Sequence, residues 1–225
     1  MNDSDASGAS DLRADLARVA QTTDVVERTL EVIAVIEIVA APLGIHPVVV
    51  GGMAVYFWVE SEAFLTYDID VVMEVPAELA AKLAELGFVR MPNGRHWELP
   101  GTEVFLEAPG ANLDSGAVVT EVKLPSGRTA KILSRVDVLI DRLAEFQATG
   151  HQIVGQQTLM LLSGLSDDEA RDLDVRASGH RVETILKAMR NLAADLAAGR
   201  APPESYELHD IARTALKAEY SPEKP

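Results

Sequence analysis

The chain has 225 residues and no cysteine, carries a formal net charge of −15, and is 48% hydrophobic. This composition excludes disulfide bonds and thiolate-bound zinc, and it argues against an extended nucleic-acid-binding face, which needs clustered Lys and Arg. The most apolar run, 30–45, is too short and too charged for a membrane span. We therefore expect a cytoplasmic protein that has a sizeable core and no membrane segment.

The first part of the chain predicts a tail followed by two helices. Residues 1–10 are mostly Asp, Ser, Ala and Gly and predict a disordered tail. The helical spacing of apolar residues predicts a helix over 11–21. Asp24 followed by Glu27 is a helix-start signature, so we expect a second, buried helix that runs to Ala41.

The next stretch predicts a strand, a glycine turn, a short helix and a second strand. The β-branched run within 46–50 is typical of a buried strand, and Gly51 and Gly52 end it. A helix is then expected over 53–61, and a strand over 68–75.

Beyond this stretch the pattern changes from mixed to helical. Proline and glycine bracket a predicted helix over 76–86. Strand-like segments follow at 88–91, 96–99, 103–107, 118–124 and 129–133, and the Pro- and Gly-containing segments 92–94, 100–101, 109–110 and 125–127 predict the turns between them. Helices are predicted over 135–149, 151–163, 167–177 and 180–198, with a last polar helix after the linker 201–203. The sequence thus predicts an α+β fold, with a small mixed sheet and flanking helices over 11–133 and an all-helical part over 134–225.

Two acidic residues and two glycines carry the chemical signal. Asp68 and Asp70 are two residues apart in a predicted strand, so their side chains share one face with Cα atoms about 6.6 Å apart. Neighbouring carboxylates favour a divalent cation between them, and oxygen ligands suit Mg²⁺ or Mn²⁺. Gly51 and Gly52 let the backbone of a helix N-terminus approach a phosphate. Alone, each motif is more often a plain turn or a solvated strand face; their order and spacing predict a metal and phosphate site.

These motifs resemble a known family signature. Gly51-Gly52-Met53-Ala54 followed by Thr66-x-Asp68-Ile69-Asp70 resembles the nucleotidyltransferase superfamily, which has the DNA-polymerase-β-like fold. The fifteen residues between Gly52 and Asp68 look more like the AbiEii-type branch, which includes toxins of type IV toxin–antitoxin systems. An Arg often found just before the Thr of that branch is absent, and Phe64-Leu65 stand in its place.

The resemblance implies a third carboxylate on a neighbouring strand, which joins the metal site and acts as a general base. Glu103 and Glu107 are both candidates, and the Phe-Leu-Glu-Ala-Pro segment that contains Glu107 favours it. The segment Arg95-His96-Trp97 is also similar to nucleotidyltransferase-like proteins, and His96 is close enough to the predicted third strand to contact substrate.

The resemblance also implies a cation that faces the nucleotide phosphates. It assigns this role to Arg142, at the start of the helical part. The alternative is a helix-surface Arg paired with Glu145 three residues on. Lys131 is a second candidate for the phosphate contact.

The resulting functional prediction is a nucleotidyltransferase that binds an NTP with Mg²⁺ or Mn²⁺. Asp68, Asp70 and Glu107 hold the metal, and Gly51, Gly52, Thr66 and Arg142 bind the nucleotide. The predicted acceptor is a tRNA end, a protein side chain or a small cationic molecule such as an aminoglycoside. If the enzyme is toxin-like, we expect a cognate antitoxin-like partner. The alternatives are an inactive nucleotide-binding or partner-binding protein of the same fold, and an antitoxin-like or scaffold protein with the helical part as its interface.

Overall fold

The computed structural model describes residues 3–64 and 66–219. The chain divides into two units, Met1–Ser134 and Arg135–Pro225. In the described residues, the first unit is a mixed seven-stranded sheet with flanking helices, and the second consists of helices. This confirms the predicted α+β fold class. None of the described helices is long and apolar enough to cross a membrane.

The described elements follow the predicted order. The first unit contains α1 (Asp3–Val19), α2 (Val25–Ala40), β1 (Val48–Val49), α3 (Gly51–Val59), β2 (Asp68–Val72), α4 (Ala77–Leu86), β3 (Val89–Arg90), β4 (His96–Glu98), β5 (Phe105–Gly110), β6 (Val119–Lys123) and β7 (Thr129–Leu133). Two short 3-10 turns, Ala41–Leu43 and Glu62–Phe64, follow α2 and α3. The second unit contains α5 (Arg135–Thr149), α6 (Gln152–Ser163), α7 (Asp167–Ala177), α8 (Glu183–Ala197) and α9 (Ser205–Glu219).

The sheet has the strand order β3-β4-β5-β2-β1-β7-β6, so β2 is its central strand. β2 pairs antiparallel with β1 and parallel with β5, and β1 pairs parallel with β7. Leu106 on β5 and Ile132 on β7 are fully buried and, with Ile69 and Val71 on β2, form part of the core. The alternation of buried and open positions along these strands leaves the intervening residues on the opposite face of the sheet.

β5 differs from the prediction at both ends. The strand was expected over 103–107, with Pro109 and Gly110 in a turn, but it runs over Phe105–Gly110. The pairing shifts between Asp70↔Glu107 and Val72↔Gly110, so one extra residue lies on the β5 side. Proline lacks an amide donor and is tolerated at such a β-bulge, which explains how Pro109 remains within the strand.

α1 begins earlier than predicted. Its helical hydrogen bonding starts at Asp3, although disorder was expected over 1–10; Met1 and Asn2 lie outside the described residues. Leu16 and Val19 are buried and anchor the helix, and each residue added in front of a formed helix gains a backbone hydrogen bond. The predicted cap of α2 is present, because the Asp24 side chain accepts from the Glu27 amide at 2.8 Å.

Candidate active site

Asp68 and Asp70 lie on the central strand, on the face opposite the core. Ile69 and Val71 are 2% and 0% exposed, so their aspartate neighbours on β2 point to the other side of the sheet. Asp68 is exposed and Asp70 is half-buried. The two carboxylates therefore share one face, and one of them is accessible to solvent.

Asp70 packs against the N-terminus of α3. Its backbone oxygen accepts from Val50 N at 2.9 Å, and its Oδ2 accepts from Gly52 N at 3.3 Å. Val50 is the N-cap of α3 and makes no capping bond with its side chain. The carboxylate of a neighbouring strand thus takes the role of a helix cap, at the end where the helix dipole favours negative charge.

Gly51 is required for this close approach. Its φ is +60°, in the left-handed region, and a Cβ built on it would lie 2.2 Å from Asp70 Oδ2 and 2.8 Å from Asp70 Cγ. A Cβ on Gly52 would lie 3.2 Å from the methyl carbon of Thr66. The two glycines therefore let β2 and its carboxylate lie directly against the helix start.

Thr66 links the start of β2 to the same turn. Its hydroxyl accepts from the Asp68 amide at 3.4 Å, and its methyl group faces Gly52. Phe64 ends a 3-10 turn just before it, and Leu65 lies outside the described residues. Thr66 thus sits between the two motifs that the sequence singled out.

The strand register decides which glutamate lies beside the aspartates. Glu107 on β5 is directly opposite Asp70 on β2, so its side chain leaves the same face. Glu103 precedes β5, and its Oε2 lies 3.3 Å from Arg28 Nη1. The structure brings Glu107 to the aspartate pair, and it places Glu103 in a separate ion pair.

His96 contacts Glu107 directly. The two residues are register partners on β4 and β5, and His96 Nε2 lies 3.1 Å from Glu107 Oε2. Arg95 Nη2 lies 3.8 Å from Glu107 Oε1. Sequence reasoning had placed His96 near the third strand without identifying this contact.

The donor set fits a divalent cation by its chemistry. Asp68, Asp70 and Glu107 offer oxygen ligands on one sheet face, the type that Mg²⁺ and Mn²⁺ prefer. Among the described residues, however, no three His, Asp or Glu side chains are already grouped as a metal site. Glu107 contacts His96 and Arg95, and Asp70 accepts from an α3 amide. The ligands are present. Binding a cation would require Asp70 to turn from the Gly52 amide and Glu107 Oε1 to leave its long contact with the exposed Arg95, while Glu107 Oε2 can keep its contact with His96.

The two predicted phosphate-binding cations have acidic partners. Lys131 Nζ, on β7, lies 3.5 Å from Glu37 Oε1. In the second unit, Arg142 on α5 makes 2.8 Å contacts with Asp141 and Glu145. The pairing with Glu145 is the predicted one, but the Arg142 side chain is only 14% exposed.

Comparisons with known proteins find structures with a similar fold but no protein with a similar sequence. No protein-family model and no curated protein matches the chain. A nucleotidyltransferase-like antigenic protein from Paracoccidioides brasiliensis is 17% identical, with a TM-score of 0.49 over 75% of this chain and 93% of that one. The antibiotic-resistance factor ANT(2'')-Ia is 16% identical, with a TM-score of 0.41 over 69% and 93%. Likeness at this level does not transfer a function.

Proposed function

We propose that this protein is a nucleotidyltransferase that moves a nucleoside monophosphate from an NTP to an acceptor hydroxyl. One observation carries the proposal: the Asp70 carboxylate lies at the glycine-started N-terminus of α3, with Glu107 directly opposite on the next strand. A phosphate-binding helix end and a set of carboxylates are the two devices that nucleotidyl transfer needs in one place.

The N-terminus of α3 would bind the NTP phosphates. Helix N-termini present backbone amides and a positive dipole end, and the start of α3 would offer its amides to a phosphate once Asp70 turns from Gly52 N towards a cation. Thr66, next to Gly52, offers a hydroxyl at the same turn. Lys131 has an acidic partner and would contribute only after leaving it. Arg142, in the second unit, has acidic partners of its own, and its role stays a prediction from the resemblance.

The carboxylates would serve the cation and the acceptor. Asp68 and Asp70 would hold Mg²⁺ or Mn²⁺, which when bound neutralises charge on the phosphates. Glu107 would complete this ligand set and accept the proton of the acceptor hydroxyl as its oxygen attacks the α-phosphorus. Pyrophosphate leaves from the opposite side, and the proton passes from hydroxyl to carboxylate, so that the charges balance.

The second part of the proposal concerns the class of molecule that accepts the nucleoside monophosphate. With a net charge of −15, the chain repels RNA and attracts cations, which favours a small cationic acceptor such as an aminoglycoside over a tRNA end. A protein side chain is the third candidate. Incubation with an α-labelled NTP and each acceptor class in turn identifies it, because the label moves to the true acceptor.

A second candidate is a protein of the same fold that binds nucleotide or a partner without turnover. It is favoured by the absence of an Arg immediately before Thr66. A toxin-like role with an antitoxin-like partner extends the main proposal. Co-purification of a stable partner that blocks label transfer would support this extension.

Isothermal titration of NTP with Mg²⁺ tests the main proposal. We expect Asp70→Ala to weaken Mg²⁺-dependent NTP binding by about tenfold or more, since it removes a ligand next to the helix amides. Asp114→Asn, which changes an exposed carboxylate elsewhere in the same unit, serves as the matched control and should bind normally. Binding that is absent in the unaltered protein, or that is indifferent to Asp70, would refute the proposal.

A further inference from the structure

The side chain of Asn93 has a defined orientation in the turn before β4. Its Oδ1 accepts from two backbone amides, those of Arg95 at 3.2 Å and His96 at 3.1 Å. Only the oxygen of an amide side chain can accept from N–H groups, so the NH₂ group must point the other way. There it lies within hydrogen-bond distance of His96 Nδ1.

This orientation determines the tautomer of His96. The Asn93 NH₂ group is a donor, so His96 Nδ1 must be the acceptor and carry no proton. In the neutral ring the proton is then on Nε2, which lies 3.1 Å from Glu107 Oε2. His96 therefore donates to the glutamate.

We propose that Asn93 and His96 act as positioning residues that hold Glu107 on the site face, an inference that rests on the proposed function. A free glutamate side chain has three rotatable bonds, and ordering it opposes ligation. The Nε2–H donor orders one oxygen of Glu107 before any cation arrives. Hydrogen bonds of this kind orient carboxylate ligands in metal sites, and their loss weakens the site.

The backbone supports the same arrangement. His96 and Glu107 are direct partners in the antiparallel β4–β5 pair, so the contact is fixed by register as well as by side chains. The turn that carries Asn93 is closed by Gly94 N, which donates to Met91 O at 2.9 Å. Gly94 has a φ of +77°, which suits glycine in this turn.

The first test is the tautomer of His96 in the full-length protein. Long-range ¹H–¹⁵N spectra above about pH 8, where an ordinary imidazole is neutral, report which ring nitrogen carries the proton. We expect a proton on Nε2 and none on Nδ1, with the His96 signals assigned by their loss in His96→Asn. Asn93→Asp keeps the acceptor oxygen but removes the donor, and it should move a proton onto Nδ1. A proton on Nδ1 in the unaltered protein would overturn the inference.

The second test is Mn²⁺ binding in the presence of an NTP, measured by titration. His96→Asn, whose amide is too short to reach Glu107, should weaken Mn²⁺ binding by about 10–100-fold. His96→Gln can place an amide donor near the position of Nε2, so its Mn²⁺ affinity should fall less than that of His96→Asn. His46→Asn is the matched control, since His46 is exposed and pairs with Glu37, and it should bind normally.

The outcomes separate this inference from the proposed function. If Asp70→Ala weakens Mn²⁺ binding and the two His96 variants behave alike, the positioning role is wrong and the nucleotidyltransferase proposal stands. If the unaltered protein does not bind Mn²⁺ with an NTP, the proposed function fails, and with it the role of His96 in that site. The tautomer measurement still decides whether Asn93 orients the ring.

Discussion

At the scale of single residues, Gly51 has the closest contact at its Cβ position among the described glycines. Its left-handed backbone and the 2.2 Å approach of Asp70 Oδ2 to the Cβ position leave no room for a side chain. The Asp70 carboxylate occupies the space beside the start of α3, so a side chain added at Gly51 would displace that carboxylate. This coupling allows a prediction that separates backbone strain from displacement of Asp70.

We predict that Gly51→Ala abolishes Mg²⁺-dependent NTP binding and destabilises the fold. An alanine in the left-handed region costs about 1–2 kcal/mol, and at this position it also displaces the Asp70 carboxylate. Gly127→Ala is the control, because Gly127 has a φ of +83° and nothing within 4 Å of the Cβ position. Gly127→Ala should lose only the stability that the left-handed backbone costs, and its NTP binding should be unchanged. Thermal unfolding and NTP titration of both variants test this prediction. Equal NTP affinity in Gly51→Ala and Gly127→Ala would contradict it.

The position of Glu107 beside the aspartate pair shows what sequence can and cannot supply at this scale. The aspartate pair follows from a local pattern, because alternation along one strand fixes their common face. The choice of Glu107 over Glu103 depends on the register between β2 and β5, which are distant in sequence. The contact between His96 and Glu107 was more nearly predictable from sequence. The Pro100-Gly101 turn lies at the centre of the β4–β5 hairpin, and a hairpin centred there pairs His96 with Glu107.

At the scale of elements, a partly buried ion-pair cluster joins α1 and α2 to the β6–β7 turn. Glu31 on α2 has a side chain only 4% exposed, and its Oε2 lies 3.1 Å from Arg128 Nη1. Its other oxygen accepts from Ser126 N at 3.2 Å, and Arg128 also pairs with Asp15 on α1. These contacts lie within the first unit and join three of its elements.

We predict that Arg128→Met lowers the free energy of unfolding by about 3–5 kcal/mol. The substitution keeps most of the side-chain volume but leaves the buried Glu31 carboxylate without its cation. A double variant that adds Glu31→Gln should recover part of the loss, because the uncompensated charge is removed. Urea unfolding measures both. A double variant less stable than Arg128→Met would contradict this account.

The N-terminus of α7 gives a prediction about pH. Burial raises the pKa of Glu169, but hydrogen bonds from the Ser166 backbone and hydroxyl and the nearby Arg135 outweigh it and leave the pKa below its ordinary value. Because the folded-state pKa is depressed, the stabilisation is present above the unfolded pKa of about 4.3 and is lost as the pH falls through the folded value.

Glu169→Gln should therefore cost stability at neutral pH and progressively less in acid below about pH 4.3. The glutamine can still complete the capping box but does not titrate. Unfolding of both proteins by urea across this range gives the difference directly. A difference that stays constant with pH would show that the charge of Glu169 is not responsible.

The elements themselves were largely predictable where their signals are local. The helix over Arg135–Thr149 and the capping box at Ser166 follow from spacing and capping residues within a few positions. β5 was placed two residues early at its start, and Pro109 was assigned to a turn. Its true extent depends on pairing with the central strand, which accommodates the proline in a bulge, and no local pattern contains that information.

At the scale of the whole molecule, charge is the dominant property. A net charge of −15 on 225 residues gives a negative field that attracts cations and is screened by salt. We predict that binding of a polycationic aminoglycoside weakens steeply between about 0.1 and 1 M salt, as the screening length falls from about 10 to 3 Å. An uncharged sugar of similar size is the control. Titration at several salt concentrations checks this, and salt-independent affinity would exclude an electrostatic contribution.

The placement of Asp70 at the amides of α3 has a consequence for the order of events. A polyphosphate that arrives without a counter-ion meets a carboxylate already bonded to Gly52 N, with Asp68 beside it and Glu107 opposite. Negative charges repel each other at this range, so under the proposed function a bare nucleotide would be rejected and its cation complex admitted. The helix end would thereby discriminate between two forms of the same molecule by charge rather than by shape.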